Sequence, residues 1–316
     1  MTQTPPARKI AVCIPTYNRP QGLRTLLAGL QRMRLPKIRD EELVVVIIDN
    51  SATQSAKDIF VDVSKRYRFA LVCTWERRKG LCYARNAALE KAIELSATHI
   101  AFIDDDEVPH PEWLSALLDV LDSTGAAAAI GPAHPIFEVP PPRWLPLSSF
   151  ATHAPAGADG FVADGYTSNA IIDMAPIKAH GLRFDMRFNE TGGEDTLFFR
   201  ALQKSNNKIA WAERAIVYDL IPRHRMSARW LWRRWYRTGM TEASLGEPGQ
   251  GRATHLARGS IRIAGGSLRI AWAALGSTWR RPDRLIASFY TACRGAGLIA
   301  HALGRNYAEY AANKYR

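Results

Sequence analysis

The chain has 316 residues, of which 47% are hydrophobic and 23% are charged, so it can bury the core of one large domain or of two and is not a disordered protein. It contains no uninterrupted apolar window of about eighteen residues, which argues against a helix that spans a membrane, and residues 1–15 lack the apolar stretch of a secretory leader. Its four cysteines are scattered without metal-ligand spacing, a pattern that fits a reducing cytosol.

The net charge of +12 is unevenly distributed along the chain. Residues 223–316 hold 17 Lys or Arg against 4 Asp or Glu, a local charge of +13, and the remaining residues are close to neutral at −1. This asymmetry indicates a polyanionic partner for the C-terminal part, either nucleic acid or an anionic membrane surface.

Strand and helix patterns alternate through residues 1–130. Strand patterns occur at residues 9–14, 43–48, 69–75, 100–103 and 126–130, and helix patterns at residues 23–33, 56–67, 81–95 and 112–121. The second strand, LVVVII, is a β-branched run typical of a strand that is buried on both faces. Repeated β-α-β units predict an α/β fold with a Rossmann-like, mostly parallel, doubly wound sheet and right-handed crossovers.

Prolines interrupt this alternation at residues 132–147, PAHPIFEVPPPRWLPL, where they argue against a regular helix or a central strand and predict an irregular loop. A strand pattern resumes at residues 164–174, a helix pattern at 194–205 and a strand pattern at 208–221. After Pro222 the chain is rich in Arg and Trp, with helix patterns at residues 227–238, 259–275 and 283–304. We therefore predict an α/β domain at residues 1–222 and a helical, basic, amphipathic region at residues 223–316.

Three consecutive carboxylates, Asp104, Asp105 and Asp106, follow the strand at residues 100–103, with Glu107 directly behind them. The carboxyl end of a strand is where α/β proteins bind ligands, and adjacent carboxylates repel one another unless a cation offsets their charge. Mg²⁺ or Mn²⁺ suits such hard oxygen ligands and often keeps phosphate oxygens as further ligands. The alternative is a solvated acidic turn.

Polar groups also follow the other predicted strands. They are Thr16-Tyr17-Asn18-Arg19, Asp49-Asn50 and the basic run Arg77-Arg78-Lys79. With the acidic cluster they suit a nucleoside diphosphate: Tyr17 would stack on the base, and Asp49 would accept a hydrogen bond from base or ribose. Arg77 or Arg78 would meet base or phosphate oxygens, and a metal ion would neutralise the diphosphate. No GxGxxG follows the first strand and no GxxxxGK(S/T) occurs, so dinucleotide and P-loop sites lose support.

A second group of acids, in Gly192-Gly193-Glu194-Asp195, opens the helix pattern at residues 194–205. The glycines allow close backbone approach, and the acids lie where the helix dipole favours negative charge. The run is either a plain helix start or a general base beside a metal-bound diphosphate. The distinction depends on whether an acid can reach an attacking hydroxyl group.

Six motifs occur in order along the chain: IPTYNRP, VVVIIDNS, RRKGLCYARNAAL, IAFIDDDEVPHPEWL, SNAII and GGEDTLFFRAL. Over residues 8–240 this pattern resembles the family 2 inverting glycosyltransferases of GT-A fold. Within them it is most similar to the branch that contains the succinoglycan-type exopolysaccharide glucosyltransferases. Agreement of six motifs in order and spacing makes the resemblance specific, whereas an acidic triplet alone would not.

The resemblance implies roles for individual residues. It implies donor binding by Thr16, Tyr17, Asp49, Arg77, Gly80, Arg85, Asn86, Asp104 and Asp105. It also implies direct metal coordination by Asp106, with Asp104 as a second ligand nearer the ribose. Asp195 matches the catalytic base, with Glu194 as its neighbour in the catalytic set. His224 either assists the diphosphate or the metal, or is a surface histidine at the entry to a helix.

The resemblance implies that the protein is an enzyme that transfers a sugar with inversion of configuration and requires Mg²⁺ or Mn²⁺ as cofactor. The enzyme would move a single sugar from a nucleotide sugar, here a UDP-sugar, to a lipid-linked saccharide acceptor in cell-surface or exopolysaccharide synthesis. Ser227-Ala228-Arg229-Trp230 is a faint match to the QxxRW motif of processive synthases. It lacks the glutamine, and the chain lacks the transmembrane helices of those enzymes, so we expect single additions.

The segment RWLWRRWYR at residues 229–237 interleaves arginines with aromatic residues. At about 100° per residue its apolar and basic side chains fall on opposite helix faces, Leu231, Trp232, Trp235 and Tyr236 against Arg229, Arg233, Arg234 and Arg237. Such a helix suits an anionic membrane surface, so we expect the protein to lie peripherally on the cytoplasmic face of the cell membrane. The same apolar faces could instead pack on the α/β domain as core.

Two other functions fit parts of the pattern. A nucleic-acid-binding protein with a catalytically inactive α/β domain would explain the basic tail, but no RNP, KH or zinc-finger pattern supports it. A nucleotidyltransferase would share the acid and diphosphate chemistry, but it would leave Glu194-Asp195 without a role as base. We expect no nucleic acid among the partners.

Overall fold

A computed structural model of the protein describes residues 8–145, 147, 150, 158–204, 206–246, 250–275 and 282–305. The chain divides into two compact units. The first comprises Met1–Pro135, Ala151–Asn189 and Glu194–Leu220, and the second comprises Ile136–Phe150, Glu190–Gly193 and Ile221–Arg316. The change from one unit to the other at Leu220 lies near residue 222, but the second unit also includes two earlier segments. The predicted division into domains at residue 222 stays a prediction.

Strands and helices alternate in the first part of the chain, as predicted. The strands are β1 (Ile10–Thr16), β2 (Leu43–Asp49), β3 (Ala70–Trp75), β4 (His99–Ile103), β5 (Glu107–Pro109), β6 (Ala128–Ile130), β7 (Ala133–Phe137), β8 (Asn169–Asp173), β9 (Ile209–Trp211) and β10 (Val217–Ile221). The helices of this part are α1 (Pro20–Leu30), α2 (Lys57–Ser64), α3 (Leu81–Glu94), α4 (Trp113–Thr124), α5 (Met174–His180) and α6 (Glu194–Gln203).

The main sheet of the described residues has the strand order β3-β2-β1-β4-β8-β6-β9. Neighbouring strands run parallel except at β8, which is antiparallel to both β4 and β6. The predicted mostly parallel sheet with flanking helices is confirmed, with β8 reversed. The reversal is invisible to hydrophobic periodicity, because buried strands of either direction are continuous apolar runs.

The central strands are buried because their side chains alternate between two cores. Val45 and Ile47 of β2 pack in the core that contains α1, α2 and α4. Val46 and Ile48 of the same strand pack in the core that contains α3, α5 and α6. The β-branched run at residues 43–48 therefore forms a strand covered on both faces, as its composition predicts.

The register of the parallel strands aligns their carboxyl ends. Thr16 at the end of β1 pairs with Asp49 at the end of β2, and Asp49 pairs with Trp75 at the end of β3. β4 pairs with β1 on its other side and ends at Ile103, directly before the acidic residues. The polar groups singled out in the sequence thus follow strands that end along one edge of the sheet, where α/β proteins bind ligands.

A small sheet with the order β5-β10-β7 corrects two predictions. Residues 132–147 were expected to form an irregular loop, but they begin with strand β7, in which Pro135 is tolerated because β7 lies at an edge of this sheet. Residues 208–221 were expected to form one strand, but they form β9 and β10 in different sheets. Glu107, directly behind the acidic triplet, begins β5.

The second unit is built on helices α7 (Ala228–Ser244), α8 (Arg252–Leu275) and α9 (Pro282–Ala302), with α7 and α8 both packed on α9. Glycines bring these helices close together, since a Cβ at Gly239 or Gly297 would overlap the backbone of the neighbouring helix. Leu231 and Trp235 of α7 are buried in this unit's core, beside Cys293 of α9. Part of the predicted amphipathic face of α7 is therefore core.

A network of charged side chains ties the three helices of the second unit together. Glu242 of α7 forms ion pairs with Arg258 and Arg262 of α8 and with Arg294 of α9. Although partial burial opposes it, the hydrogen bonds from Arg262 and Arg294 lower the pKa of Glu242 to about 2. Among the helices in the described part of the chain, none combines the length and the apolarity that crossing a membrane requires.

Candidate active site

The acidic turn after β4 is tied to the end of β1 by Asp105. The Thr16 hydroxyl donates to Asp105 Oδ2 at 2.7 Å, and the Tyr17 amide donates to the same oxygen at 3.4 Å. Arg19 Nη1 lies 2.9 Å from Asp105 Oδ1 and 2.7 Å from Asp106 Oδ2. Because Asp105 is buried and faces these partners, it organises the turn. The sequence pattern assigned no role to Arg19. The one feature that could have identified this residue is its position three residues after the end of strand β1.

The two flanking carboxylates of the turn, Asp104 and Asp106, are less enclosed than Asp105. Burial, together with the charges of Asp106 and Asp105, raises the pKa of Asp104 to about 7, although 37% of its side chain is exposed. Glu107 is buried, and its Oε2 accepts a hydrogen bond from the Asp104 amide at 3.1 Å. Burial and the charges of Asp104 and Asp106 raise the pKa of Glu107 well above its usual range. A solvated acidic turn does not describe this cluster.

The donor set of this turn fits a divalent cation. Asp104 and Asp106 offer hard carboxylate oxygens. Burial is the main cause of the raised pKa of Asp104, and the charges of Asp106 and Asp105 add to it. The described residues contain no preformed group of three or more His, Cys, Asp or Glu ligands. Mg²⁺ commonly binds through one or two carboxylates and completes its shell with water and substrate phosphates, and Asp104 and Asp106 are two such carboxylates.

A buried ion pair connects the acidic turn with the start of α6. The Arg85 guanidinium of α3 bonds to Glu194 Oε1, and the two side chains are 5% and 4% exposed. Arg85 Nη2 also lies 4.0 Å from Asp104 Oδ1. Glu194 is thus directed at Arg85 and not at solvent, which makes it a positioning residue here. Its predicted membership of the catalytic set stays a prediction.

Asp195 follows Glu194 in the first turn of α6 and is only partly buried. Its Oδ1 accepts a hydrogen bond from the Thr196 amide at 2.7 Å, and the positive end of the helix dipole favours its charge. Phe198 and Phe199, buried one turn later, anchor the helix. The glycines before it, Gly192 and Gly193, have positive φ angles of 80° and 101°, a conformation that favours glycine. A Cβ at Gly192 would meet no described atom within 4 Å, so the predicted close approach of backbone stays a prediction.

Asp49 and Asn50 organise the loops beyond β2 and β3. Asp49 is buried, and its two carboxylate oxygens accept hydrogen bonds from the Ser51 amide at 2.9 Å and the Ala56 amide at 2.7 Å. Asn50 Nδ2 donates to the carbonyls of Glu76 and Arg78, while its Oδ1 accepts from the Gly80 amide. Sequence reasoning missed this role of Asn50. The predicted contact of Asp49 with base or ribose stays a prediction.

The basic run at residues 77–79 lies among aromatic rings. Arg77 stacks on Trp75 at 4.6 Å, and Lys79 Nζ lies 5.0 Å from the centre of the Tyr17 ring. Arg78 is paired with Glu76 at 2.8 Å. Of the two arginines offered for base or phosphate contact, Arg77 is thus the one without an ion pair among the described residues, and it is exposed.

Gly80 and Asn86 of the third motif hold the segment that leads to Asp195. Asn86 exchanges two hydrogen bonds with the Phe184 backbone, at 3.0 and 2.9 Å. Asn189 Oδ1 accepts from the Cys82 amide at the start of α3. Gly80 has a φ of 141°, and a Cβ there would overlap the Asn189 side chain, so glycine is required.

The structure therefore brings together part of the predicted set. Thr16 bonds directly to Asp105, Arg19 joins Asp105 to Asp106, and Arg85 links Asp104 to Glu194. Asp49 and Asn86 are instead bonded to loop backbone, and the Gly80 amide donates to the Asn50 side chain. His224 is exposed in the short turn Arg223–Met226 of the second unit.

Comparison with solved structures identifies the fold. A mannosyltransferase from Pyrobaculum calidifontis, PcManGT, solved with GDP-Man and Mn²⁺, has a TM-score of 0.66 at 16% identity, over 94% of this chain and 88% of that one. TarS 1–349 from S. aureus, solved with UDP, has a TM-score of 0.51 at 16% identity, over 95% and 93% of the two chains. Both are GT-A glycosyltransferases in fold.

Comparison of sequences identifies the family. The succinoglycan biosynthesis protein ExoM of Rhizobium meliloti is 33% identical over 236 residues, which cover 75% of this chain and 74% of ExoM. The glycosyltransferase AglE of Haloferax volcanii is 29% identical over 125 residues, 40% of this chain and 38% of AglE. The model of the family described as Glycosyl transferase family 2 matches residues 11–181, more than half of the chain. The chain is thus a glycosyltransferase and belongs to glycosyl transferase family 2.

Proposed function

We propose that the protein is a metal-dependent, inverting glycosyltransferase that moves a single sugar from a UDP-sugar to a lipid-linked saccharide acceptor. The observation that carries the proposal is the continuous chain of charged groups at one edge of the first unit. Asp106 and Asp104 lie in the acidic turn, and Arg85 links Asp104 to Glu194, the neighbour of Asp195. The acids proposed to hold the metal are thus connected through Arg85 and Glu194 to the residue proposed as base.

The donor half of this site suits a nucleoside diphosphate. Asp106 and Asp104 would hold Mg²⁺ or Mn²⁺, which when bound supplies positive charge that stabilises the leaving diphosphate. Tyr17 offers an aromatic face and Arg77 an exposed guanidinium for base or phosphate. The likeness to PcManGT, solved with GDP-Man and Mn²⁺, and to TarS, solved with UDP, supports a nucleotide-sugar donor.

The acceptor half of the site requires a base, and Asp195 provides it. Asp195 takes the proton from an acceptor hydroxyl, whose oxygen bonds to the anomeric carbon while the bond from that carbon to the diphosphate oxygen breaks. In-line attack inverts the anomeric configuration. Arg85 and Glu194 act through position, because they fix the start of α6 relative to Asp104.

The acceptor and the location follow from charge and from the relatives. The local charge of +13 at residues 223–316 suits an anionic membrane surface, where a lipid-linked saccharide would be found. The resemblance to ExoM, named for succinoglycan biosynthesis, supports a role in exopolysaccharide or cell-surface synthesis. The protein then lies peripherally on the cytoplasmic face of the cell membrane.

Product analysis with a panel of UDP-sugars and a lipid-linked acceptor tests this function. We expect transfer that requires Mg²⁺ or Mn²⁺ and gives the inverted anomeric configuration. Asp195→Asn should abolish transfer and leave donor binding close to that of the wild type, because the amide keeps the shape but cannot accept the proton. Near-wild-type turnover by Asp195→Asn, or a product of retained configuration, would contradict the mechanism.

A further inference from the structure

Helix α8 carries a strip of large apolar side chains that the second unit leaves exposed. Ile261, Leu268 and Trp272 are 71%, 69% and 79% exposed. Because a helix turns about 100° per residue, their spacing places them within about 40° of one another around the helix axis. The strip is about 16 Å long at the rise of an α-helix.

The opposite face of α8 is the one that packs inside the second unit. His255, Gly259 and Gly266 are buried on that face, and a Cβ at Gly259 or Gly266 would crowd atoms of α9. Contacts with α9 therefore account for the position of the helix and do not involve the apolar strip. Single apolar side chains are common on surfaces, but several large ones aligned on one face of a helix are a candidate interaction site.

Basic side chains border the strip along one side. Residues 252–275 contain four arginines and no Asp or Glu, and Arg258, Arg262 and Arg269 lie about 60–100° around the helix from Ile261. Arg269 is exposed. Arg258 and Arg262 share Glu242 with a third arginine from α9, so one carboxylate faces three guanidinium groups and the border keeps a positive charge.

The segment of α7 that the sequence predicted for membrane contact is less suited to that role. Leu231 and Trp235 are buried in the core of the second unit, so half of the predicted apolar face is already covered. Trp232 is exposed, but it stacks on Tyr236 at a centroid distance of 5.7 Å. Among the described residues of this unit, the three most exposed large apolar side chains lie on α8.

We propose that the α8 strip, Ile261, Leu268 and Trp272 with its bordering arginines, is the surface by which the protein lies on an anionic lipid bilayer. This inference rests on the proposed membrane attachment and names the surface responsible. Charge complementarity selects the occupant, because a bilayer presents anionic headgroups beside apolar chains. Tryptophan suits the boundary between the two. A row of this length lies in the plane of the membrane and is too short to cross it.

Sedimentation of the full chain with vesicles of phosphatidylglycerol and phosphatidylcholine tests the proposal. Combining Leu268→Asp with Trp272→Asp should weaken vesicle binding by about tenfold or more, because carboxylates replace inserted apolar groups and are repelled by the headgroups. Val61→Asp is the matched control, since Val61 is an apolar side chain of α2 with 55% exposure. Unchanged circular dichroism and UDP binding would show that each variant is folded.

The basic border is tested separately by Arg269→Glu. This variant should bind less tightly than the wild type at low salt and differ little from it at high salt, because exposed charges are screened. An effect of Arg269→Glu that is equally large at high salt would overturn the electrostatic part of the proposal.

Three outcomes would overturn the α8 surface. If the wild type binds vesicles and the α8 variant binds equally well, the surface is wrong while membrane attachment stands. If the wild type does not bind at low salt, both are wrong, and UDP binding in the same samples still reports on the proposed glycosyl transfer. If the α8 variant loses a dimer in sedimentation velocity while it keeps vesicle binding, the strip is a self-association face.

Discussion

Replacing Glu194 with glutamine should destabilise the first unit by about 3 kcal/mol, because it leaves the Arg85 guanidinium buried without its carboxylate. The two side chains are 5% and 4% exposed, and removal of one partner from such a pair costs about 3–5 kcal/mol. We choose the lower end because Asp104 lies 4.0 Å from Arg85 and retains part of the attraction. Arg85→Met should cost a similar amount, since Glu194 would then be buried alone.

Urea denaturation of the single and double variants measures these costs, with amide hydrogen exchange in α3 and α6 to assign the loss to the first unit. Arg85→Met combined with Glu194→Leu removes both charges, so the double variant should be more stable than the sum of the single losses predicts, by about 2 kcal/mol. Asp62→Asn is the control. It breaks the exposed pair between Arg24 and Asp62, and should change the free energy of unfolding by less than about 1 kcal/mol.

Single variants that each lose less than about 1 kcal/mol, the range of exposed pairs, would contradict the predicted cost. Strictly additive losses in the double variant would contradict it too, because two side chains that compensate each other's charge must be coupled. Either result would mean that Glu194 does not hold α6 through Arg85, and the proposed link between the acidic turn and Asp195 would fail.

Two further predictions concern other parts of the molecule. Gly80→Ala should destabilise the first unit by about 2 kcal/mol or more and weaken UDP binding, because φ is 141° and the new Cβ overlaps a side-chain amide. Gly125→Ala is the control. Gly125 also has a positive φ, but no described atom lies within 4 Å of the new Cβ, so this variant should lose only about 1 kcal/mol in urea denaturation. Glu242→Gln should cost about 1–2 kcal/mol at pH 7 after allowance for solvent screening. Because the folded-state pKa of Glu242 is lowered to about 2 from an ordinary value of 4.5, its stabilisation is present above about pH 4.5 and is lost as the pH falls towards 2. The variant should therefore show a flatter loss of stability over this range, and an identical pH profile would contradict the assigned cause.

The strands of the main sheet could be predicted because their burial leaves a local signal. The run at residues 43–48 is apolar at every position since both faces of β2 are covered, and such runs end where the polar groups begin. The direction of a strand leaves no comparable signal in the sequence, so the antiparallel orientation of β8 was not predicted. Short strands with charged residues or prolines, such as β5 and β7, also escape periodicity.

The polar groups of the site were predicted by type and position more successfully than by role. Asp104 and Asp106 are partly exposed acids at the predicted edge, because the position of a strand end follows from local pattern. The partner of Glu194 could not be inferred, since Arg85 is separated from it by 109 residues. Asn50 likewise acts on backbone some 30 residues away. Such pairings depend on tertiary structure.

The basic tail illustrates a different limit of sequence reasoning. Periodicity correctly indicated an amphipathic α7, but an apolar face has the same composition whether protein or lipid covers it. Only the packing of Leu231 and Trp235 distinguishes the two, because it places them in the core of the second unit.

Calorimetric titration of UDP with and without Mn²⁺ tests most directly whether the acidic edge is a metal-dependent nucleotide site. We predict that Mn²⁺ tightens the binding of UDP to the wild-type protein by about tenfold or more, since two negative phosphates would share the cation with Asp106 and Asp104. Asp106→Ala should abolish this gain and keep the weaker, metal-independent binding. Binding of UDP that is indifferent to Mn²⁺, or a full Mn²⁺ effect in Asp106→Ala, would contradict the assignment of this edge as the donor site.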